Sequence, residues 1–278
     1  MNIDVAKALD AYRKGDRLGA PWESGTAHWS PVTYEQIMAR QHQFPHGTDE
    51  SDIVDCFERF VSQYNYDGDT NDLLLSWARF HERNRRATSY GGTWKDYFAT
   101  VKAMDRSGRL TVENLFRLSA ERKPGGSQGN GCLPLSLPVY DYSKKIGVGS
   151  KEIVQLFFRL SHAHENALGC ARYLCDLFAA LEGGFEPLNV KSDCGVVECF
   201  LKNKEWIIQP DEFAKKHPNN MLCCETVVHA LFGAMNADDE QDLILKIVSM
   251  GGDVDSVLAM ALMIHHVVPN WKVKGGVM

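Results

Sequence analysis

The chain has 278 residues, of which 44% are hydrophobic and 24% are charged, and its formal net charge is −6. This composition is typical of a globular protein and excludes collagen-like, coiled-coil and disordered chains. The acidic residues are spread along the chain, which argues against nucleic-acid binding, and no apolar run approaches the roughly 18 residues of a membrane span. Because the first residues do not resemble a signal peptide either, we expect a cytoplasmic monomer that does not bind membranes.

Apolar residues recur at intervals of three and four along most of the chain, which is the period of a helix. The first predicted helix covers residues 3–14, and apolar stripes predict two more helices around 53–64 and 94–101. Further helices are predicted at 71–84, 111–120, 150–160, 165–181, 221–235, 240–249 and 255–266. Gly15, Gly108, Gly183, Gly184 and Pro269 are interpreted as helix ends. Only residues 206–208 resemble a strand, so the sequence predicts an all-α fold.

No internal repeat or flexible linker divides the chain, which predicts a single compact domain over residues 1–278. Residues 122–138 form the least helical segment, and glycine-bearing loops of this length are often functional. The basic stretch at 79–86 is interpreted as a solvent-facing helix surface. Cys170 and Cys175 have a spacing seen in zinc sites, but on a helix their side chains point about 140° apart, so we expect no structural zinc.

Three short stretches at the joints between predicted helices carry the candidate chemistry. Residues 15–23 read Gly-Asp-Arg-Leu-Gly-Ala-Pro-Trp-Glu, residues 47–52 read Gly-Thr-Asp-Glu-Ser-Asp, and residues 251–256 read Gly-Gly-Asp-Val-Asp-Ser. Taken singly, the last two could be helix caps and first-turn acids that complement the helix dipole. Together, their carboxylates and hydroxyls supply the hard oxygen ligands that Mg²⁺ prefers.

The order of these stretches, with Gly-Asn-Gly at 129–131 and Ser-His at 161–162 between them, resembles the ADP-ribosylglycohydrolase family. The resemblance extends from Gly15 to about Trp271. It implies a single, compact, orthogonal all-α domain with two divalent cations, Mg²⁺ or Mn²⁺, at the base of a cleft for ADP-ribose. It also implies hydrolysis of the N- or O-glycosidic bond between ADP-ribose and an acceptor, which would be a protein, a nucleic acid or a small molecule.

The resemblance assigns roles position by position. It implies that the metal ligands are Thr48, Asp49, Glu50, Asp253, Asp255 and Ser256. It implies three catalytic carboxylates, Glu23, Asp49 and Asp253. It places the binding of ADP-ribose on Gly129, Asn130, Gly131, Cys132 and His162. Other interpretations remain open, because His162 could be a buried helix histidine, residues 129–131 a simple turn, and Asp16 only the residue after a helix end.

The sequence also departs from the family pattern. Glu50 stands where the family has an aspartate, Val254 stands where it has a threonine, and no basic residue follows Gly131 within residues 132–135. Two functions therefore remain open at this point. The chain is either a metal-dependent hydrolase or a catalytically weakened descendant that binds ADP-ribose or a protein partner, or serves a structural role.

Overall fold

The computed structural model describes residues 3–24, 29–185, 187–217 and 221–268. These ranges contain fourteen α-helices, named α1 to α14 in chain order, and no strand. They are Val5–Gly19, Tyr34–Arg40, Asp49–Val61, Thr70–Asn84, Gly92–Arg106, Val112–Glu121, Ser136–Lys145, Ser150–Arg159, Glu165–Glu182, Gly195–Lys202, Pro210–Lys216, Cys223–Asn236, Glu240–Met250 and Val254–Val267. The all-α prediction is therefore confirmed. No helix in the described ranges combines the length and the apolar character needed to cross a bilayer.

Helix α14 lies at the centre of the fold. Its sequence is apolar on nearly all sides, and such a helix is stable only when other elements surround it. Helices α1, α12 and α13 pack against it. Nearly all the buried apolar side chains of the described residues join in one continuous cluster. This arrangement is the single compact helical domain that the sequence predicts.

Two glycines of α1 let its backbone meet that of α14. A Cβ atom on Gly15 would lie 2.5 Å from the carbonyl oxygen of Leu258, and one on Gly19 would lie 2.6 Å from the Cα of Asp255. The prediction that Gly15 ends the first helix is wrong, because α1 continues to Gly19. Close packing, and not a break in the helix, explains the glycine at position 15.

Two other local predictions need correction. The predicted strand at 206–208 is wrong, because residues 205–207 form a single 3₁₀ turn after Lys204, whose φ of 53° lies in the left-handed region. The long loop is shorter than predicted, because α7 starts at Ser136 and takes in Pro138. Proline is tolerated there because the backbone N–H groups of a first helical turn have no partner within the helix.

Other predicted helix ends agree with the structure. Gly108 follows α5 with a φ of 66°, and Gly183 and Gly184 follow α9, the second with a φ of 73°. Such backbone angles cost glycine little. The predicted end at Pro269 lies outside the described residues.

Candidate active site

A buried aspartate on α1 fixes the start of α3. Asp16 accepts hydrogen bonds from the Thr48 hydroxyl at 2.9 Å, from the Thr48 backbone N–H at 2.9 Å and from the Ser51 backbone N–H at 3.0 Å. Gly47 has a φ of 73°, and a Cβ atom there would lie 2.2 Å from Asp16 Oδ2. The glycine is therefore required for the backbone to reach this carboxylate.

Glu50 connects the starts of α3 and α14. Its Oε1 accepts a hydrogen bond from the Ser256 hydroxyl at 2.7 Å, and its Oε2 contacts the Thr48 hydroxyl. The side chain is only 8% exposed. Glu50 therefore places its two carboxylate oxygens against hydroxyl groups from separate segments, and Ser256 donates to one of them.

The start of α14 is held from the opposite side by the glycine-bearing loop. Asn130 donates an amide hydrogen to Asp253 Oδ2, and its Nδ2 also lies 2.9 Å from Thr226 Oγ1. Two residues after Asp253, the Asp255 Oδ1 atom accepts a hydrogen bond from the backbone N–H of Ser256 at 2.9 Å. Asn130 therefore joins the loop to both α14 and α12 through its side-chain amide.

These carboxylates form two overlapping groups. In the first group, one carboxylate oxygen from each of Asp16, Glu50 and Asp255 lies within 4.8 Å of the others. In the second group, the same holds for Glu23, Asp253 and Asp255. None of these five carboxylates has a lysine or arginine nitrogen within 4.0 Å in the described part of the chain. The oxygen donors and the absence of a protein cation fit hard divalent cations.

The electrostatics of the cluster lead to the same conclusion. Burial raises the pKa of Glu50 and of Asp255 well above their ordinary values, and repulsion from the neighbouring carboxylates raises them further. Burial also raises the pKa of Asp16 and Asp253, although hydrogen bonds to both carboxylates oppose the change. Bound cations are often the largest charges in such a site and would stabilise the ionised carboxylates.

A cavity of about 710 Å³ opens beside the carboxylates. Gly129, Asn130, Gly131 and His162 form part of its wall, and Lys123 is the single lysine or arginine among the described residues that line it. Burial lowers the pKa of His162 to about 3, and the nearby charge of Lys123 contributes, so the imidazole is neutral. The cavity is therefore acidic at one end and has one cation near the loop.

Comparison with known proteins identifies the family. The ADP-ribosylglycohydrolase profile matches residues 14–264. The chain belongs to the ADP-ribosylglycohydrolase family. Membership implies ADP-ribosyl hydrolase activity of the glycohydrolase type, in a family that depends on metal ions.

A solved structure described as an "ADP-ribosylglycohydrolase-related protein complex" resembles this glycohydrolase with a TM-score of 0.59. The two sequences are 17% identical, and the alignment covers 96% of this chain and 87% of that one. At this identity the similarity concerns the fold alone. No curated protein gives a significant match.

Three of the predicted site residues of this glycohydrolase lie differently from the rest. Asp49 lines the cavity and accepts a hydrogen bond from the side chain of Ser89, but it belongs to neither of the two groups of three carboxylates. Cys132 points into the core, where its Sγ lies 4.0 Å from Cys223 Sγ. Ser256 is buried and directs its hydroxyl at Glu50.

The sequence interpretation of Asp16 as only the residue after a helix end is wrong. Asp16 lies within α1, is fully buried and belongs to the carboxylate cluster. A signal was available, since Asp16 follows buried Ala8 and Tyr12 at intervals of four on the apolar face of α1. An acid on such a face needs a compensating partner. Ser89 was also missed, and its position in a loop carries no comparable signal.

Proposed function

We propose that this ADP-ribosylglycohydrolase requires two divalent cations, Mg²⁺ or Mn²⁺, and hydrolyses the N- or O-glycosidic bond between ADP-ribose and an acceptor. The observation that carries this proposal is that five carboxylates from three distant segments line one cavity, and none of the five has a lysine or arginine nitrogen within 4.0 Å in the described residues. They are Glu23, Asp49, Glu50, Asp253 and Asp255. Burying so many acids is costly unless cations compensate them.

The residues that would hold the cations are those of the two overlapping carboxylate groups. One position would use Asp16, Glu50 and Asp255, and the other would use Glu23, Asp253 and Asp255. Further oxygen ligands would come from Thr48, Asp49 and Ser256. Divalent cations bound there would supply Lewis-acid chemistry, orienting ribose hydroxyls and water.

Glu23 is suited to proton transfer. It lies at the rim of the cavity with an exposed side chain. Burial of part of its carboxylate raises its pKa, and repulsion from Asp253 and Asp49 adds to the effect. A carboxyl group whose pKa is shifted toward neutrality exchanges protons more effectively at physiological pH.

Asp253 and Asp49 would act electrostatically in the same reaction. Cleavage at the anomeric carbon passes through an oxocarbenium-like state, whose positive charge is stabilised by nearby carboxylates. Asn130 holds Asp253, and Ser89 holds Asp49, so neither carboxylate rotates freely. Positioned charges of this kind need little reorganisation during the reaction.

The glycine-bearing loop, which precedes α7, would bind the diphosphate and ribose. Gly126 has a φ of 92°, and a Cβ atom there would lie 2.6 Å from the backbone nitrogen of His164. The Trp94 indole N–H donates to the carbonyl oxygen of Gly131 at 2.9 Å and fixes the other end of the loop. Glycines let phosphate oxygens approach the backbone closely, and Lys123 adds a positive charge to this wall. Neutral His162 would hydrogen-bond a sugar hydroxyl.

One observation favours the second candidate, a weakened descendant that binds ADP-ribose without efficient turnover. Val254 replaces the family's threonine and is fully buried, so it presents no hydroxyl to the cavity. Glu50 does not favour this candidate, because its longer side chain still reaches Asp16 and Asp255.

The decisive experiment measures release of free ADP-ribose from arginine-linked, serine-linked, nucleic-acid-linked and small-molecule conjugates, with Mg²⁺, Mn²⁺ or EDTA. We expect cation-dependent release from at least one conjugate and a loss of about 10²-fold or more in Glu23→Gln and Asp253→Asn. Asp141→Asn, which changes a surface ion pair with Lys145, is the matched control. Release that is equal in all variants would refute the roles proposed for Glu23 and Asp253, and release from none of the conjugates would refute the hydrolase. Binding of ADP-ribose without release would favour the second candidate.

A further inference from the structure

The basic stretch at residues 79–86 does not behave as one solvated surface. Arg79 and Arg83 both pair with Asp105, at 2.8 Å and 2.6 Å. Arg85 has no carboxylate within 4.0 Å in the described ranges, and its guanidinium instead lies over the ring of Phe98, 4.4 Å from the centroid. Arg85 therefore needs a different explanation from its two neighbours.

Arg85 faces a second cavity, of about 420 Å³, between the end of α4 and the exposed side of α5. Lys95 and Lys102 also line this cavity, and Glu82 is the single acid on its wall among the described residues. Neither lysine has a carboxylate oxygen within 4.0 Å in those same residues. In a chain with a net charge of −6, three unpaired cations around one cavity repel one another, and a bound anion would relieve that repulsion.

The geometry of these cations suits a tetrahedral oxyanion. Stacking of the Arg85 guanidinium on Phe98 leaves its N–H edges free, and this planar group recognises phosphate oxygens with paired hydrogen bonds. Lys95 and Lys102 are seven positions apart on α5, so they lie on one face of the helix. Thr88, which is exposed at the same wall, provides a hydroxyl donor.

One short segment separates this cavity, which we call the basic cavity, from the cavity of the candidate active site, which we call the acidic cavity. Ala87, Thr88 and Tyr90 line the basic cavity, whereas Ser89 and Gly91 line the acidic cavity. The two cavities therefore lie on opposite faces of the segment 87–91.

Asp52 on α3 anchors this shared segment. Its Oδ2 accepts the backbone N–H groups of Arg86 at 2.7 Å and Ala87 at 2.9 Å, and the Tyr90 hydroxyl at 2.9 Å. Three hydrogen bonds to one charged oxygen are strong restraints. The spacing between the two cavities is therefore fixed by the same helix that begins with Asp49 and Glu50.

We propose that the basic cavity is an anion site for a phosphate monoester or diester. Its occupant is either a free phosphate ester or a phosphate on the part of a substrate that extends beyond the acidic cavity. Only the second source rests on the proposed function.

Binding is tested with a fluorescently labelled, 5′-phosphorylated dinucleotide, with inorganic phosphate as competitor. The double variant Lys95→Glu/Lys102→Glu is compared with Lys7→Glu/Lys191→Glu, which has the same net charge and alters exposed lysines outside both cavities. We expect the Kd to rise about tenfold or more in the first double variant only, and the wild-type affinity to fall with added salt. Circular dichroism checks that both variants are folded. Equal affinities in the two double variants would refute the site.

Hydrolysis then separates the two sources of phosphate. If the occupant belongs to the substrate, Lys95→Glu/Lys102→Glu raises KM for a conjugate with a phosphorylated extension and leaves KM for a short conjugate unchanged. If the occupant is a free phosphate ester, both KM values stay unchanged while dinucleotide binding is lost. Absence of any hydrolysis would contradict the proposed function and leave the binding measurement valid.

Discussion

Ser256 donates its hydroxyl hydrogen to Glu50 Oε1 at 2.7 Å, and this bond joins the start of α14 to the start of α3 across 206 positions of sequence. Ser256→Ala removes this bond and leaves Glu50 with only its contact to Thr48, so its carboxylate is less firmly oriented toward Asp16 and Asp255. We expect the affinity for Mn²⁺, measured by calorimetric titration, to fall about 10–100-fold, which is the usual effect of losing such an orienting bond.

Ser119→Ala is the matched control, because Ser119 is equally buried but lies on α6, outside the described lining of the acidic cavity. Its Mn²⁺ affinity should equal that of the wild type. A wild-type affinity in Ser256→Ala would show that Glu50 needs no support from α14.

Glu50 should destabilise the cation-free protein near neutral pH. Folding raises the pKa of Glu50 well above its ordinary value of 4.5, first through burial and then through repulsion from Asp49 and Asp16. The ionised carboxylate therefore opposes folding at pH values above its raised pKa, and the opposition fades as the pH falls through that pKa. In EDTA at about pH 8 we expect Glu50→Gln to have a higher Tm than the wild type. The increase should be about 2–4 °C for each kcal/mol by which the substitution raises the free energy of unfolding.

The difference in Tm should shrink as the pH is lowered. It should reverse in saturating Mg²⁺, because the variant loses a ligand and with it the stabilisation that cation binding gives the folded state. Glu121→Gln alters only an exposed pair with Arg117 and should match the wild type throughout. A lower Tm of Glu50→Gln in EDTA would contradict this account.

Much of the fold and part of the site could be predicted from the sequence. In long helices such as α4 and α9, apolar residues repeat at helical spacing over several turns, and this pattern alone predicts the helix. Short helices such as α10 and α11 do not, because packing and not local sequence stabilises them. Helix α2 was missed although Thr33 and Gln36 form a capping box, which was a usable signal.

The motifs around Asp49 and Asp253 indicate most of the carboxylates of the site. They do not indicate which carboxylates lie together in the two groups of three. The sequence does not reveal the role of Asp16, because Gly15 before it is typical of a helix end. The contact of Gly15 with α14, which keeps the helix continuous through Asp16, depends on tertiary structure. The position of Ser89 depends on the long-range bonds of Asp52 to its loop, and no local pattern encodes them.

Gly15→Ala should destabilise the protein even though alanine is the better helix former. In an isolated helix the change would gain about 1 kcal/mol. Here the new Cβ would lie 2.5 Å from Leu258 O and 2.6 Å from Ala259 Cα, so α1 and α14 would have to separate. We expect a loss of about 1–3 kcal/mol in urea unfolding, which is typical of overpacking.

Gly195→Ala is the matched control, because Gly195 also lies in a helix and a Cβ there meets nothing within 4 Å. It should leave stability equal to that of the wild type or raise it. A stable Gly15→Ala would mean that the helix pair adjusts without cost.

Lys123 should govern substrate binding more than turnover. It is the single lysine or arginine lining the acidic cavity in the described residues, and it lies beside the loop assigned to the diphosphate. In Lys123→Ala we expect KM for a hydrolysed conjugate to rise about tenfold with kcat nearly unchanged, because a charge that contacts the diphosphate equally in ground and transition states affects binding alone. Lys7→Ala, an exposed lysine elsewhere, is the control, and a selective fall in kcat would contradict the assignment.

Asp52 should control the order of the segment between the two cavities. Removing its carboxylate in Asp52→Ala frees the backbone N–H groups of Arg86 and Ala87 and the hydroxyl of Tyr90. We expect amide hydrogen exchange across residues 86–90 to accelerate about tenfold for each 1.4 kcal/mol of lost local stability. Asp52→Asn, which retains an oxygen acceptor, should show a smaller increase.

Asp55→Ala on the same helix is the control for this measurement, because Asp55 pairs with Arg13 and not with the segment. Its exchange at residues 86–90 should equal that of the wild type. If the amides of Asp52→Ala exchanged at the wild-type rate, packing of Tyr90 against Trp94 and Phe98 would be enough to hold the segment, since those aromatic contacts do not involve Asp52.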